Sequence, residues 1–187
     1  MNLKKSYTEK YGYERVITDR NSPLAYAEAD MLKLRAGTSI KIDEKDKEFA
    51  LVVLYGSITV TGSDFRFENV GKRKTVFDGA GEAVYVGKDE KFTVTAVGGD
   101  AKVCVAKAPA TKKIKAQAMR TEDIKIKELG KGAYTRTAAF NVAENAEANL
   151  LYIGEFWVED GKWASFPPHK HDIEDMPNEG FLVEIYY

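Results

Sequence analysis

The chain contains two histidines, and they lie one residue apart in the segment PPHKHD at positions 167–172. On an extended strand, side chains alternate between two faces, so His169 and His171 would point to the same side and could bind one metal ion. Glu184 follows thirteen residues after His171, within the apolar run at 181–187. Two imidazoles and a carboxylate from a later strand form a facial ligand set for zinc, with manganese or iron as alternatives.

The alternative for this segment is a pair of surface histidines in a polar loop. The strand-like residues around the pair and the stiff Pro167-Pro168 before it favour the metal site. Lys170 would point away from its two neighbours, toward solvent or another sheet.

Two further side chains are candidates for the chemistry near such a site. Glu155 lies on a predicted strand before the histidines and could act as a general base; the alternative is an ion pair or a solvated position at a strand edge. Arg136 could hold a substrate carboxylate in a bidentate pair, or be an exposed strand arginine.

The elements that must position these residues are predicted to be strands throughout. From about residue 29 to 107, short alternating or apolar runs are separated by glycine-containing turns, with no helical period of useful length. The sequence therefore predicts an all-β fold of β-sandwich, or jelly-roll, type. The predicted strands lie at 31–35, 49–55, 57–61, 74–77, 83–86, 92–97 and 102–106.

A second series of strands follows the small, basic, proline-containing segment at 108–115, which is predicted to be a linker. We expect one complete sandwich over 1–110, without histidine and without metal. We expect the opening part of a second sandwich over 111–187, carrying the metal-ligand strand. Its last run, 181–187, has no evident partner, so either another chain completes it or a C-terminal piece is absent. Because bare strand edges favour association, we expect a homo-oligomer.

The composition excludes several classes of partner. With 187 residues, 44% apolar and 30% charged residues and a net charge of -1, the chain is an ordinary globular protein without a field that recruits nucleic acid or anionic membrane. No apolar run approaches the length of a membrane span, and the first residues lack the apolar core of a signal peptide. The single cysteine, Cys104, excludes an internal disulfide and is predicted to be a small core residue. We expect a cytoplasmic location.

The motif-bearing segments resemble one family over nearly the whole chain. The run WASFPPHKHD at 163–172, followed by FLVEIYY at 181–187, is similar to the signature of the 5-deoxy-glucuronate isomerases of myo-inositol catabolism. These are bicupins related to the 5-keto-4-deoxyuronate isomerases. The first half agrees in ALVVLYG at 50–56, VFDG at 76–79, AVYV at 83–86 and APAT at 108–111.

The resemblance implies two cupin units and an aldose–ketose isomerisation of a small sugar acid through an enediolate. It also implies a divalent metal held by His169, His171, Glu184 and a later histidine. That last histidine has no counterpart, since none follows His171. A non-catalytic or degenerate cupin that binds a sugar acid therefore stays open, as does a metal-dependent dioxygenase.

Overall fold

A computed structural model describes residues 4–165 and 169–187 of the chain. In these residues the regular structure consists of β-strands and two short 3-10 turns, Thr121–Asp123 and Gly132–Tyr134. The strands are β1 Gly12–Ile17, β2 Glu28–Leu34, β3 Ser39–Ile42, β4 Lys47–Tyr55, β5 Ile58–Thr61, β6 Arg66–Val70, β7 Ala83–Val86, β8 Phe92–Ala96, β9 Ala101–Pro109, β10 Gln117–Met119, β11 Lys125–Leu129, β12 Arg136–Val142 and β13 Ile153–Trp157. The all-β fold class is confirmed.

The first sandwich consists of a six-stranded and a four-stranded sheet. The larger has the order β1-β2-β9-β4-β7-β10, the smaller β3-β8-β5-β6, and the paired strands are antiparallel. Alternation along β4 directs Phe49, Leu51 and Val53 into the core between the sheets, where they are fully buried. Each such side chain contributes on the order of 2 kcal/mol through burial.

The outer face of the six-stranded sheet is apolar as well. Ala50 and Val52 point out of the sandwich and pack against Ala139 and Val142 of β12, in the three-stranded sheet β11-β12-β13. Burial on both faces explains why the sequence of β4 is a nearly continuous apolar run instead of an alternating one.

Two segments differ from the sequence-based predictions. The strand predicted at 74–77 is wrong: these residues form a turn, because the carboxylate of Asp78 accepts the backbone N–H groups of Lys74 and Thr75 at 3.0 and 2.9 Å. The predicted linker begins inside a strand, since β9 continues through Pro109. Strand β10, just after the linker, pairs with β7 of the first sheet. The domain boundary at 110/111 stays a prediction.

The strands predicted at the histidine pair and at 181–187 are absent from the described residues 169–187. That part of the chain contains one isolated bridge, between Asp175 and Glu179, and backbone hydrogen bonds from Asn178 to Asp175 and from Leu182 to His171. A strand needs a neighbour along its length to satisfy its backbone groups, and no described strand lies beside these residues.

Among the described residues, no helix has the length and apolar character needed to cross a membrane.

Candidate functional site

The two histidines lie together. Their ring centroids are 5.0 Å apart and the rings are nearly perpendicular, at 87°. Nδ1 of His171 lies 3.0 Å from the carbonyl oxygen of Gly180, and Nδ1 of His169 lies 3.3 Å from the hydroxyl of Ser165. A neutral imidazole that donates from Nδ1 to a carbonyl presents the lone pair of Nε2, which is how a metal-binding histidine is commonly oriented.

Glu179 organises the loop that carries His171. Its carboxylate oxygens both accept hydrogen bonds from Lys170 at 2.9 Å, and Oε1 also accepts the backbone N–H groups of Asp172 and Ile173. The hydrogen bond from Lys170 lowers the pKa of Glu179, and the same bond raises the pKa of Lys170. Lys170 and the backbone of residues 172 and 173 are therefore bound to one carboxylate in the segment that follows the histidines.

Glu184, the predicted third ligand, does not join the pair in this structure. It interacts with the hydroxyl of Tyr186, whose pKa is raised by burial and then by the charge of Glu184. Within 4–165 and 169–187, no group of three or more His, Cys, Asp or Glu side chains is placed to hold a metal ion. The described residues thus bring two imidazoles together but do not fit a three-ligand site. Pro167-Pro168 lie outside the described residues.

Glu155, the predicted base, takes part in a hydrogen-bond network between the first sandwich and the three-stranded sheet β11-β12-β13, which we call the second sheet. Its Oε1 accepts a hydrogen bond from Nη2 of Arg73 at 2.6 Å. Its Oε2 accepts the backbone N–H of Gly81 at 2.8 Å and the amide of Asn141 at 3.0 Å. This carboxylate is therefore bound by three donors, one from each of Arg73, Gly81 and Asn141. The ion pair considered as the alternative is the arrangement observed.

Arg136 lies on the opposite face of the same sheet. Glu155 is paired with Ala139, which packs toward the first sandwich, whereas Arg136 is an odd number of residues from Ala139 and so points the other way. Its guanidinium carbon lies 5.8 Å from the ring centroid of Phe156, and Nη1 lies 3.4 Å from the carbonyl oxygen of Tyr134. Glu155 and Arg136 therefore cannot line one pocket through this sheet.

Sequence reasoning missed the buried charged groups that join the two parts of the chain. Arg73 is one of them, and it also donates to the carbonyl oxygens of Val53 and Gly79. Glu48 is another, fully buried, with a carboxylate that accepts the hydroxyl of Tyr85 and the consecutive backbone N–H groups of residues 149–151. The one available signal was a charged residue directly beside an apolar run, as at Glu48.

Comparison with known proteins agrees with the fold and adds relatives with a named activity. The family model described as "KduI/IolB family" matches residues 2–187. A protein of Bacillus subtilis (strain 168), named 5-deoxy-glucuronate isomerase, is 37% identical over 174 residues, which are 91% of this chain and 64% of the relative. A Bacillus licheniformis protein of the same name is 38% identical over 170 residues, 89% of this chain and 62% of the relative. The chain thus spans slightly less than two thirds of the length of these relatives.

A solved structure is similar over almost the entire chain. The crystal structure of an IolB-like protein from Salmonella typhimurium superposes with a TM-score of 0.88 at 25% sequence identity, covering 97% of this chain and 69% of that one. The arrangement of strands described above is therefore shared with an experimentally determined structure.

Proposed function

Since this chain belongs to the KduI/IolB family, we propose that it is a 5-deoxy-glucuronate isomerase of inositol catabolism. The observation that carries the proposal is the identity of 37% over 91% of the chain to a relative of that name. The proposed reaction converts 5-deoxy-glucuronate, an aldose, into the ketose 5-dehydro-2-deoxy-gluconate.

The proposed chemistry follows from the substrate and product. Moving the carbonyl from C1 to C2 requires that a proton is removed from C2 and one is returned at C1, through an enediolate that carries negative charge, and that the hydroxyl proton of O2 is transferred to O1. The substrate also carries a carboxylate, and a guanidinium is suited to hold it in a bidentate pair. Arg136 is our candidate for that role because it lies on the sheet face that does not pack against the first sandwich.

Metal binding by His169 and His171 is a further part of the proposal. Their close rings and the contact of His171 with Gly180 support two ligand positions. A divalent metal, zinc in the first place, would supply a Lewis acid when bound. Because a third ligand is not placed beside the pair in the described residues, we derive no step of the reaction through the metal.

The second candidate is a protein that binds a sugar acid without converting it. Two observations favour it: the predicted ligand Glu184 is not with the histidines, and Glu155 is held by Arg73. A single experiment separates the two candidates. The 187-residue chain is incubated with 5-deoxy-glucuronate and zinc in D2O, and the aldehyde proton is followed by NMR.

Isomerase activity predicts loss of the aldehyde signal, formation of the ketose and one deuterium at the former C1. The His169→Ala/His171→Ala double variant is the matched control, because both substitutions lie outside the strands that build the described sheets. Saturable binding of the sugar acid without formation of the ketose would establish the second candidate instead. Absence of both binding and turnover would contradict both.

A further inference from the structure

The first sandwich has a buried charged cluster at one end of its core. Lys107 is fully buried, and its Nζ lies 2.6 Å from Oδ2 of Asp30, 3.1 Å from Oε2 of Glu28 and 3.3 Å from Oε1 of Glu44. One ammonium group is therefore in contact with three carboxylates. We call Lys107, Asp30, Glu28 and Glu44 the Lys107 cluster.

Strand alternation places this cluster in the interior. On β9, Val103 and Val105 are core residues between the two sheets, and Lys107 is the next residue on the same face. On β2, Leu32 is in the same core, and Asp30 and Glu28 continue its face toward the strand's beginning. The register pairs Glu28 directly with Lys107. Both strands thus change from apolar to charged at the same end of the sandwich.

Two further positive side chains, Lys47 and Arg15, lie beside the carboxylates. Lys47 Nζ lies 2.6 Å from Glu28 and 3.3 Å from Glu44, and Arg15 lies 3.0 Å from Glu44. Burial raises the pKa of Glu28, but the hydrogen bond from Lys47 and the positive charges of Lys47 and Lys107 outweigh it, and the net pKa is lowered. When Lys47 and Arg15 are counted with the Lys107 cluster, three positive side chains balance the three carboxylates. Without Lys107, the cluster would carry one uncompensated negative charge.

One oxygen of the cluster has no directed bond. Oε2 of Glu28 is buried and receives no well-aligned hydrogen bond from the residues that the structure describes, although Lys107 is 3.1 Å away. Its negative charge is balanced by the proximity of the ammonium and not by a hydrogen bond of good geometry. A lone pair in that state is available to a cation that accepts ligands from any direction.

We propose that the ammonium group of Lys107 occupies an oxygen-donor cation site inside the first sandwich, and that a hard divalent cation binds there once the lysine side chain is removed. Three carboxylates around one point are typical ligands of calcium, which takes oxygen donors at about 2.3–2.6 Å. The vacated side chain leaves room for water as additional ligands. The tethered charge also gives a physical reason to expect no metal in this sandwich of the native chain, because a metal ion would have to displace a buried lysine.

Lys107→Ala tests the proposal with calcium ions alone as the probe. We expect the variant to be destabilised in EDTA, since it leaves uncompensated buried carboxylates. We expect calcium to raise its melting temperature saturably, by about 5 °C or more, because a ligand that binds only the folded state stabilises it. The wild-type chain should show no such shift. Lys102→Ala is the matched control: Lys102 is also a buried β9 lysine, on the opposite face, paired with Glu9 at 2.8 Å.

A folded Lys107→Ala variant whose stability does not respond to calcium overturns the proposal, as does an equal calcium shift in the wild type or in Lys102→Ala. If Lys107→Ala does not fold, the double variant Lys107→Ala/Glu28→Gln restores the charge balance. Folding of the double variant, together with rescue of the single variant by calcium during refolding, supports the site. Failure of calcium to rescue the single variant overturns it, whether or not the double variant folds. This inference is independent of the proposed isomerase activity.

Discussion

Nη2 of Arg73 donates a hydrogen bond across 2.6 Å to Oε1 of Glu155, and this largely buried ion pair joins the first sandwich to the second sheet. Glu155 makes a second bond to the first sandwich by accepting the backbone N–H of Gly81, whereas Arg73 is held within the first sandwich by its bond to the carbonyl oxygen of Gly79. The pair is therefore a structural connection between two parts of the chain.

Replacing Glu155 by Gln should lower the free energy of unfolding by about 3 kcal/mol, because it leaves the buried charge of Arg73 uncompensated. Urea denaturation measures the change. Glu159→Gln is the control: Glu159 pairs with Lys162 at 2.7 Å but is 79% exposed, so its loss should cost about 0.5 kcal/mol or less. Equal stability of the two variants would show that Glu155 has no structural role and would return it to consideration as a base.

The Glu48→Gln substitution should destabilise the chain by about 2 kcal/mol. The buried carboxylate accepts three consecutive backbone N–H groups at 2.6–2.8 Å. In Gln one of the two oxygens is replaced by an NH2 group, a donor that would face these N–H donors and leave them without an acceptor. Tyr85→Phe removes a single donor to Glu48 and should cost about 1 kcal/mol. Amide hydrogen exchange at 149–151 should accelerate in Glu48→Gln alone. Unchanged exchange there would contradict the assigned contacts.

Gly56→Ala should be among the costly single substitutions in the first sandwich, with a loss of more than about 2 kcal/mol. Gly56 has a φ of +81°, and a Cβ atom there would lie 2.3 Å from the backbone oxygen of Asp100, which cannot move as a side-chain tip can. Gly99→Ala is the matched control, since nothing lies within 4 Å of its Cβ position. The prediction fails if thermal melts of the two variants agree.

Cys104 should react slowly with thiol reagents at pH 8 while the chain is folded. Burial is the main cause that raises the pKa of its thiol to about 12, so very little thiolate is present. Labelling by a chromogenic disulfide should be at least about a hundredfold slower than in urea. A pKa raised in the folded state contributes stability that is full below about pH 9 and is lost as the pH rises toward 12. Between about pH 9 and pH 12, the free energy of unfolding should therefore fall less in Cys104→Ala than in the wild-type chain. An equal fall in both chains would contradict the prediction.

Zinc should bind to the chain with one equivalent through His169 and His171, and either alanine substitution should weaken binding by about tenfold or more. Competition with a zinc indicator measures the affinity. Glu184→Gln tests the third predicted ligand separately. If it changes nothing, Glu184 is not a ligand in this chain; if both histidine variants bind as the wild type does, the metal site itself is wrong.

The strands with two buried faces or clean alternation could be predicted from the sequence. The sequences of β4 and β7 are apolar along nearly their whole length because both of their faces are buried, and β8 alternates because one face is buried, so these patterns predict strands. The turn at 74–77 could not, because the bonds from Asp78 to the backbone outweigh the β-propensity of Thr75 and Val76. Short edge strands such as β10 have too few residues for a periodic signal.

The site was predictable in its ligand types but not in its assembly. The histidine pair is visible as a spacing, and the structure places the two rings together. The expected strand geometry depends on a neighbouring strand, which local spacing does not reveal. Likewise, Glu155 and Arg136 point to opposite faces of the sheet because of the register of β12 with β13, which only the folded chain specifies.

Buried charged side chains of the first sandwich are bound by residues much later in the chain, and this has a consequence for synthesis on the ribosome. Residues 1–119, through β10, emerge first, with the carboxylate of Glu48 and the guanidinium of Arg73 already translated, whereas their partners at 149–151 and at Glu155 follow some tens of residues later. The nascent first sandwich must keep these charges hydrated until the later strands arrive. Burial of the outer face of β4 is therefore a late step, coupled to completion of the second sheet.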